Sequence, residues 1–343
     1  MKLLIASEFQ YGQIGRSFQK GFADHGAETD TFDLAEEYQK SPLARNKYAS
    51  RLFRSAYAEA TSRRLCLAMD RSGADILFIT KGQWIKPWVL AKLHKKGKKI
   101  FNFYTDDPFE KKNSSQWVHR SFPMYDVFFT FARHLIPRLI EAGCQKVEYL
   151  PFARDPELHA PWPNGEGLSP YACDVCFIGN IDEARLHWLR HLKRVDLKIW
   201  GEPVHSRHFH LLGLESKVQA VPLYGTLFSK AMAACKIALN LMRTQNAYSH
   251  NMRTYEAAAC GAFVLSERTP EVVELFKEDV EAAYFSTPEE LLRKIDYYLK
   301  HAEERRRIAQ AGWERVKEDT YSRRAQRVLD VYRGLDTFEA VRT

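Results

Sequence analysis

Arg253 and Glu256 stand three residues apart in His250-Asn251-Met252-Arg253-Thr254-Tyr255-Glu256-Ala257-Ala258-Ala259-Cys260-Gly261, a polar loop that enters a small-residue helix closed by glycine. That spacing puts both side chains on one face of the helix's first turn. A cation beside the free amides of a helix start grips a phosphate, and a carboxylate there accepts hydrogen bonds from ribose hydroxyls. The plainer alternative is an intrahelical salt bridge. A second candidate is Asp106-Asp107-Pro108, two carboxylates at the end of the apolar run 99–105. They suit proton handling or, again more plainly, the capping of a helix. Lys81-Gly82 ends the preceding apolar run and Gly12-x-x-Gly15 follows the first one, which a tight turn explains as well as a ligand does. Cys173 and Cys176 form a C-x-x-C inside a strand-like run, where residues three apart point to opposite faces. They are expected to be buried structural thiols and not a zinc or redox pair.

The elements that must position these residues follow from the alternation of short apolar runs with longer amphipathic stretches, the pattern of parallel sheets flanked by helices. Strands are expected at 3–6, 75–80, 99–105, 126–130 and 147–150, then at 174–178, 197–200, 237–241, 262–265 and 283–285. A helix is expected over 43–69, with Leu43, Tyr48, Leu52, Phe53, Ala56, Tyr57 and Ala60 near a 3.6-residue period. Pro151-Phe152-Ala153-Arg154-Asp155-Pro156 and Pro161-Trp162-Pro163-Asn164-Gly165-Glu166-Gly167 interrupt every periodicity and read as a linker. Two α/β domains are therefore expected, 1–160 and 168–321, with a final helix over about 322–343 packing back on the first. Ligands are expected in a cleft at the carboxyl ends of the two sheets. Thr269-Pro270-Glu271 and Thr287-Pro288-Glu289-Glu290 mark two helix starts.

Composition agrees with a globular chain: 343 residues, 45% hydrophobic and 27% charged, long enough for two cores. No run of about 18 apolar residues occurs. The opening residues 1–7 read as a strand and not as an export signal. Six scattered cysteines fit a reducing compartment, so a cytoplasmic location is expected. The net charge of +8 favours an anionic partner. Much of it lies in Arg45, Lys47, Arg51, Arg54, Arg63 and Arg64, and in Lys95-Lys96-Gly97-Lys98-Lys99. The basic helix 43–69 is thus a candidate for peripheral contact with an anionic membrane surface or nucleic acid, against the plainer reading of solvated helix faces.

Arg-x-x-Glu-Ala-x-Ala-x-Gly before an apolar strand resembles the CgeB-like, or spore maturation-type, group of glycosyltransferases, relatives of the retaining family 4 enzymes. Asp174-Val175-Cys176-Phe177-Ile178-Gly179-Asn180, Leu197-Lys198-Ile199-Trp200-Gly201, Pro222-Leu223-Tyr224-Gly225 and Ile237-Ala238-Leu239-Asn240-Leu241 resemble successive parts of that group's C-terminal domain. The stretch from Glu289 through Gly312 to Thr320-Tyr321-Ser322-Arg323-Arg324 fits as well. The resemblance covers 172–330 closely and 1–150 loosely. It implies the GT-B fold, two Rossmann-like domains whose parallel sheets face across a cleft, and transfer of a sugar from a nucleotide-diphosphate sugar, a UDP-sugar first, with retention.

By the same matching Glu256 binds the ribose, while Arg253 and Asn251 face the diphosphate or the donor sugar. Gly179, Asn180, Arg185, Gly201 and Asn240 complete the donor side, with Gly179 and Asn180 giving a phosphate access to bare backbone. Asp106 and Asp107, with Arg253, are the catalytic candidates, and Gly12, Gly15 and Lys81 line the acceptor side. One departure stands out. Family 4 relatives carry two glutamates seven residues apart, and the position of the first is Tyr248 here. Asn246, Ser249 or His250 are the candidates to replace it. Paired aspartates also resemble the metal motif of single-sheet glycosyltransferases. In the two-sheet design arginine, lysine and helix-end amides supply the positive potential, so neither a metal nor another cofactor is expected. The acceptor (glycan, protein, lipid-linked or nucleic acid) and the oligomeric state are not fixed by sequence. A nucleotide-sugar epimerase or a non-catalytic sugar-nucleotide- or glycan-binding protein of the same fold are the alternatives.

Overall fold

The computed structural model describes residues 1–40, 49–163, 165–201, 213–219, 221 and 223–340. Leu43, Arg45, Lys47, Tyr48, Asn164 and Pro222 lie outside the described residues. Met1–Pro151 with Tyr321–Thr343 form one compact unit and Phe152–Thr320 the other.

Among the described residues the first unit holds a parallel sheet in the order β2-β1-β3-β4-β5-β6. Its strands are β1 (Lys2–Ser7), β2 (Glu28–Asp33), β3 (Ile76–Thr80), β4 (Lys99–Tyr104), β5 (Val127–Thr130) and β6 (Val147–Tyr149). β3 and β5 are buried at every position, which is why they read as unbroken apolar runs. The sequence Glu-Thr-Asp-Thr-Phe-Asp hides β2, an edge strand that buries only Phe32 and was not anticipated. It forms because Lys2 to Ser7 of β1 offer it six paired positions.

Helix Ala49–Ser72 corrects the expected apolar face. Phe53 and Ala56 are exposed, whereas Tyr57, Ala58, Thr61, Ser62, Leu65, Cys66 and Met69 are buried. The buried stripe keeps helical spacing but passes through Thr61 and Ser62, so hydrophobicity alone misplaces it. Two of the helix's basic side chains have carboxylate partners nearby. Arg63 pairs with Glu59 at 2.8 Å, Lys86 with Glu59 at 3.1 Å, and Arg64 with Glu37. Helix Tyr321–Ala340 packs on helix Ile14–Asp24 of the same unit, with Phe18 and Tyr321 rings 5.4 Å apart. A Cβ on Gly21 would sit 2.9 Å from the Ser322 Cα, so this crossing requires glycine.

The second unit's described strands form a parallel sheet in the order β11-β10-β9-β7-β8. They are β7 (Cys173–Ile178), β8 (Leu197–Trp200), β9 (Cys235–Asn240), β10 (Val264–Glu267) and β11 (Ala283–Phe285). Val175, Phe177, Ile237, Leu239 and Leu265 join Leu291, Ile295 and Tyr298 of helix Pro288–Lys300 in one core. That helix starts where the sequence signs it: the Thr287 hydroxyl accepts from Glu290 N at 3.1 Å, and the Glu290 carboxylate accepts from Ser286 N at 2.8 Å. Cys173 and Cys176 are buried free thiols. Cys173 opens the strand beside Cys235.

Candidate functional site

Asn251 caps helix Met252–Ala259, its Oδ1 accepting from Thr254 N at 3.1 Å. Its amide group donates to Asn240 Oδ1 at 2.9 Å and to Leu241 O at 3.2 Å. Asn240 in turn donates to the Thr254 and Ser266 hydroxyls, each at 3.2 Å. A buried polar network thus ties the carboxyl ends of β9 and β10 to the helix's first turn. Asn240 and Asn251 hold the frame, with both amide hydrogens of Asn240 committed inside it.

Arg253 leaves that turn with its Nε donating to Ile178 O, at the carboxyl end of β7, at 3.2 Å. Its guanidinium lies 4.8 Å from the Phe228 ring centroid and pairs with Glu256. The Arg253 side chain is 27% exposed and the Glu256 side chain 3%, so the cation opens outward above a buried carboxylate. His159, which sequence reasoning passed over, comes to the other oxygen. Its Nε2 is 3.8 Å from Glu256 Oε1, and its ring meets Phe228 edge-on. Burial pushes the His159 pKa below its ordinary value, against the pull of Glu256.

Gly179 and Gly201 meet at the ends of β7 and β8. A Cβ on Gly201 would fall 2.1 Å from Gly179 O, and Gly179 itself has φ 153°. Arg185 is buried beside them, donating to Asn180 O at 2.6 Å and to Leu241 O at 3.1 Å. Burial lowers its pKa to about 10; Asp182 opposes this, while the neighbouring charges of Arg243 and Arg253 add to it. Arg243 pairs with Asp182 at 3.2 Å, and Asp182 also caps helix Glu183–Leu189. Three guanidinium groups therefore gather at the carboxyl ends of β7 and β9. Glu267 completes the rim, accepting from Met242 N at 2.9 Å, with its pKa raised by burial. Asp182 and Glu267 went unrecognised in the sequence; each follows a predicted strand by a few residues, the one signal that marked them.

The three candidates to replace the first glutamate turn inward. Asn246 donates to His250 O at 2.7 Å, and Ser249 O accepts from the Thr269 hydroxyl at 2.6 Å. His250 accepts from Phe152 N at 3.2 Å, with its Nδ1 3.6 Å from Glu271. Tyr248 is 63% exposed.

In the first unit, Lys81 and Asp106 form an ion pair at 2.6 Å across the carboxyl ends of β3 and β4. Lys81 has the left-handed φ of 61°, held by its N–H on Phe103 O at 3.1 Å and by Asn102 Nδ2 on its carbonyl at 3.1 Å. Asp107 accepts from Phe109 N at 2.8 Å and faces Arg138 at 3.9 Å. Gly12 turns the chain after β1 with φ 85°. Gly15 serves packing: a Cβ there would lie 2.3 Å from Glu8 O.

Among the described residues no helix is long and apolar enough to cross a membrane. No curated protein matches the chain in sequence. Residues 183–330 match a family model described as glycosyl transferase-like. Among solved structures, sucrose-phosphate synthase from Thermosynechococcus elongatus superposes with a TM-score of 0.74 at 12% identity, covering 98% of this chain and 99% of that one. HepE from Anabaena, in complex with UDP-glucose, gives 0.68 at 12% identity over 97% and 100%. A trehalose-6-phosphate synthase, studied for glycosyl transfer with retention, gives 0.67 at 10% identity over 97% and 99%. The chain has the fold of the GT-B glycosyltransferases, two parallel-sheet α/β domains, and its residues 183–330 carry a glycosyl transferase-like domain.

Proposed function

We propose that this chain is a cytoplasmic glycosyltransferase of the CgeB-like group. It moves a sugar from a nucleotide-diphosphate sugar, a UDP-sugar first, to an acceptor with retention of configuration and without a metal ion. The observation that carries the reading is the gathering of Arg185, Arg243 and Arg253 at the carboxyl ends of β7 and β9, beside the carboxylate of Glu256. Departure of a nucleoside diphosphate leaves negative charge on phosphate oxygens, and fixed cations in a partly dry site stabilise that charge as it forms. Arg253, part-exposed on the first turn of the helix beside Glu256, is the group to touch the diphosphate, and Glu256 the group to accept from ribose hydroxyls. Arg185 holds Asn180 O and Leu241 O, so its part is to fix the strand ends and lend its field.

On the acceptor side Asp106, paired with Lys81, is the group to orient an acceptor hydroxyl. In a retaining transfer the acceptor arrives on the leaving-group side and its proton passes to the departing phosphate, so no carboxylate nucleophile is required. The UDP-glucose complex of HepE and the retention studied in trehalose-6-phosphate synthase support this choice of donor and outcome. The test is incubation with UDP-, GDP- and ADP-sugars, first alone and then with glycan, protein, lipid-linked and nucleic-acid acceptors. Acceptor-dependent nucleotide release that persists in EDTA, with the donor's anomeric configuration kept in the product, is the expected result. Consumption of donor without acceptor would instead indicate an epimerase. A second reading, a binding protein that does not turn over, is favoured by Tyr248 standing where relatives place a glutamate, and binding without release under every acceptor would establish it.

A further inference from the structure

His159 lies in a short turn that opens the second unit, and the turn fixes its ring. The backbone N–H of Asp155 donates to His159 Nδ1 at 3.2 Å, and His159 N donates back to Asp155 O at 2.7 Å. A ring nitrogen that accepts carries no proton, so the neutral imidazole bears its hydrogen on Nε2. That atom faces Glu256 Oε1 at 3.8 Å, while Arg253 holds Glu256 Oε2. His159 is 7% exposed and its ring is set edge-on against Phe228, which the Arg253 guanidinium also meets. Histidine and arginine therefore share one aromatic floor, and each faces one oxygen of the carboxylate.

We infer that His159 is a positioning residue for Glu256: its Nε2–H and the Arg253 guanidinium flank the carboxylate and set the direction in which it meets ribose hydroxyls. The inference rests on the reading of Glu256 as the ribose-binding group. A carboxylate held by arginine alone swings about a single contact. With a second N–H 3.8 Å from its other oxygen, the carboxylate is steered from two sides, and two neighbouring hydroxyls can be met with less reorganisation. His159 touches no substrate in this role; it acts through Glu256.

The two ring nitrogens can be removed separately. His159→Asn keeps an acceptor where Nδ1 stands, preserving the turn with Asp155, and deletes the donor toward Glu256. His159→Gln places an amide donor where Nε2 stands. The readout is the affinity of the full chain for UDP against 2′,3′-dideoxy-UDP, by calorimetry, because only the first has hydroxyls to offer. The natural protein is expected to prefer UDP by about tenfold or more, the preference to fall toward unity in H159N, and most of it to return in H159Q. Equal weakening of both ligands in H159N, or an unchanged ratio, overturns the inference and leaves His159 a packing residue. Were H159N not to fold, His159→Phe, which keeps a ring against Phe228, carries the same comparison. If the natural protein and Glu256→Gln show the same ratio, it is the ribose reading of Glu256 that fails, and the inference with it.

Discussion

Arg253 and Glu256, one helical turn apart, form an ion pair in which the cation is 27% exposed and the carboxylate 3%. The asymmetry matters more than the pair itself. A surface i, i+3 pair contributes a few tenths of a kcal/mol and is cut by salt. Here the carboxylate is sequestered, so the pair is a means of keeping a charged group inside the site, with the open guanidinium at its mouth.

Arg253→Ala should lower nucleoside-diphosphate affinity about 10- to 100-fold, the worth of one or two charge-assisted hydrogen bonds. Arg253→Lys should recover only part of it, since an ammonium cannot hold Ile178 O, Glu256 and a phosphate in one plane. Calorimetry with UDP and GDP checks both. Binding left intact in R253A would remove this helix start from the donor site.

Asn251→Ala should destabilise the chain by about 2–4 kcal/mol, combining a lost helix cap with the orphaned Asn240 Oδ1, while Leu241 O keeps its bond from Arg185. Urea unfolding followed by circular dichroism measures it. Asn251→Asp, which caps equally well but cannot donate to Asn240, separates the two contributions. If the aspartate variant is as stable as the natural chain, the network contributes nothing beyond the cap.

The helix start was legible because its residue types are nearly diagnostic: a capping asparagine, a small-residue helix, a terminating glycine and an apolar strand. The central strands β3 and β5 were legible for a related reason, since burial on both faces leaves only apolar choices. β2 was not, because an edge strand with polar side chains is specified by its neighbour and not by itself. The fate of Asn240 and Asn251 was hidden differently. Sequence shows that an asparagine stands at a strand end, but whether its amide meets a ligand or another asparagine depends on a partner eleven residues away. His159 was invisible for the same reason in stronger form: it lies in a proline-marked segment read as linker, and only tertiary folding brings it to Glu256. Gly15 and Gly201 carried a signal, a position where no Cβ fits, but the occupant of the space is the chain's own carbonyl oxygen.

Acid should destabilise the chain through His159. Burial holds its folded pKa below the ordinary 6.5, with Arg253 and Arg154 adding to the effect and Glu256 and Asp155 opposing it. As pH falls through about 6.5 the unfolded chain takes up the proton first, so stability declines with falling pH until the folded value is passed. The slope contributed by one such group is at most about 1.4 kcal/mol per pH unit. Other groups titrate in the same range, so the measurement is a difference: denaturation midpoints at pH 7.5 and 5.5 for the natural chain and H159Q. The natural chain should lose more. A larger loss in H159Q would reverse the sign and show that the folded protein prefers the protonated ring.

Asp106→Asn should separate binding from transfer. Asp106 is mostly buried and held by Lys81 at 2.6 Å, and that lysine keeps a strained left-handed φ because Asn102 and Phe103 grip its backbone. Strain retained at a strand's carboxyl end is consistent with a side chain that must project in one direction only. Asparagine fills the same volume and still offers an oxygen to Lys81, so folding should change little, by about 1 kcal/mol or less. What it loses is the charge that orients a hydroxyl and tolerates its proton, an effect of about 10²–10⁴ in rate. The expected pattern is an unchanged affinity for UDP, an unchanged slow hydrolysis of donor without acceptor, and a kcat for transfer reduced by that factor. If hydrolysis and transfer fall together, Asp106 serves donor activation and not the acceptor. If neither falls, the Lys81–Asp106 pair is a structural brace for the turn after β3.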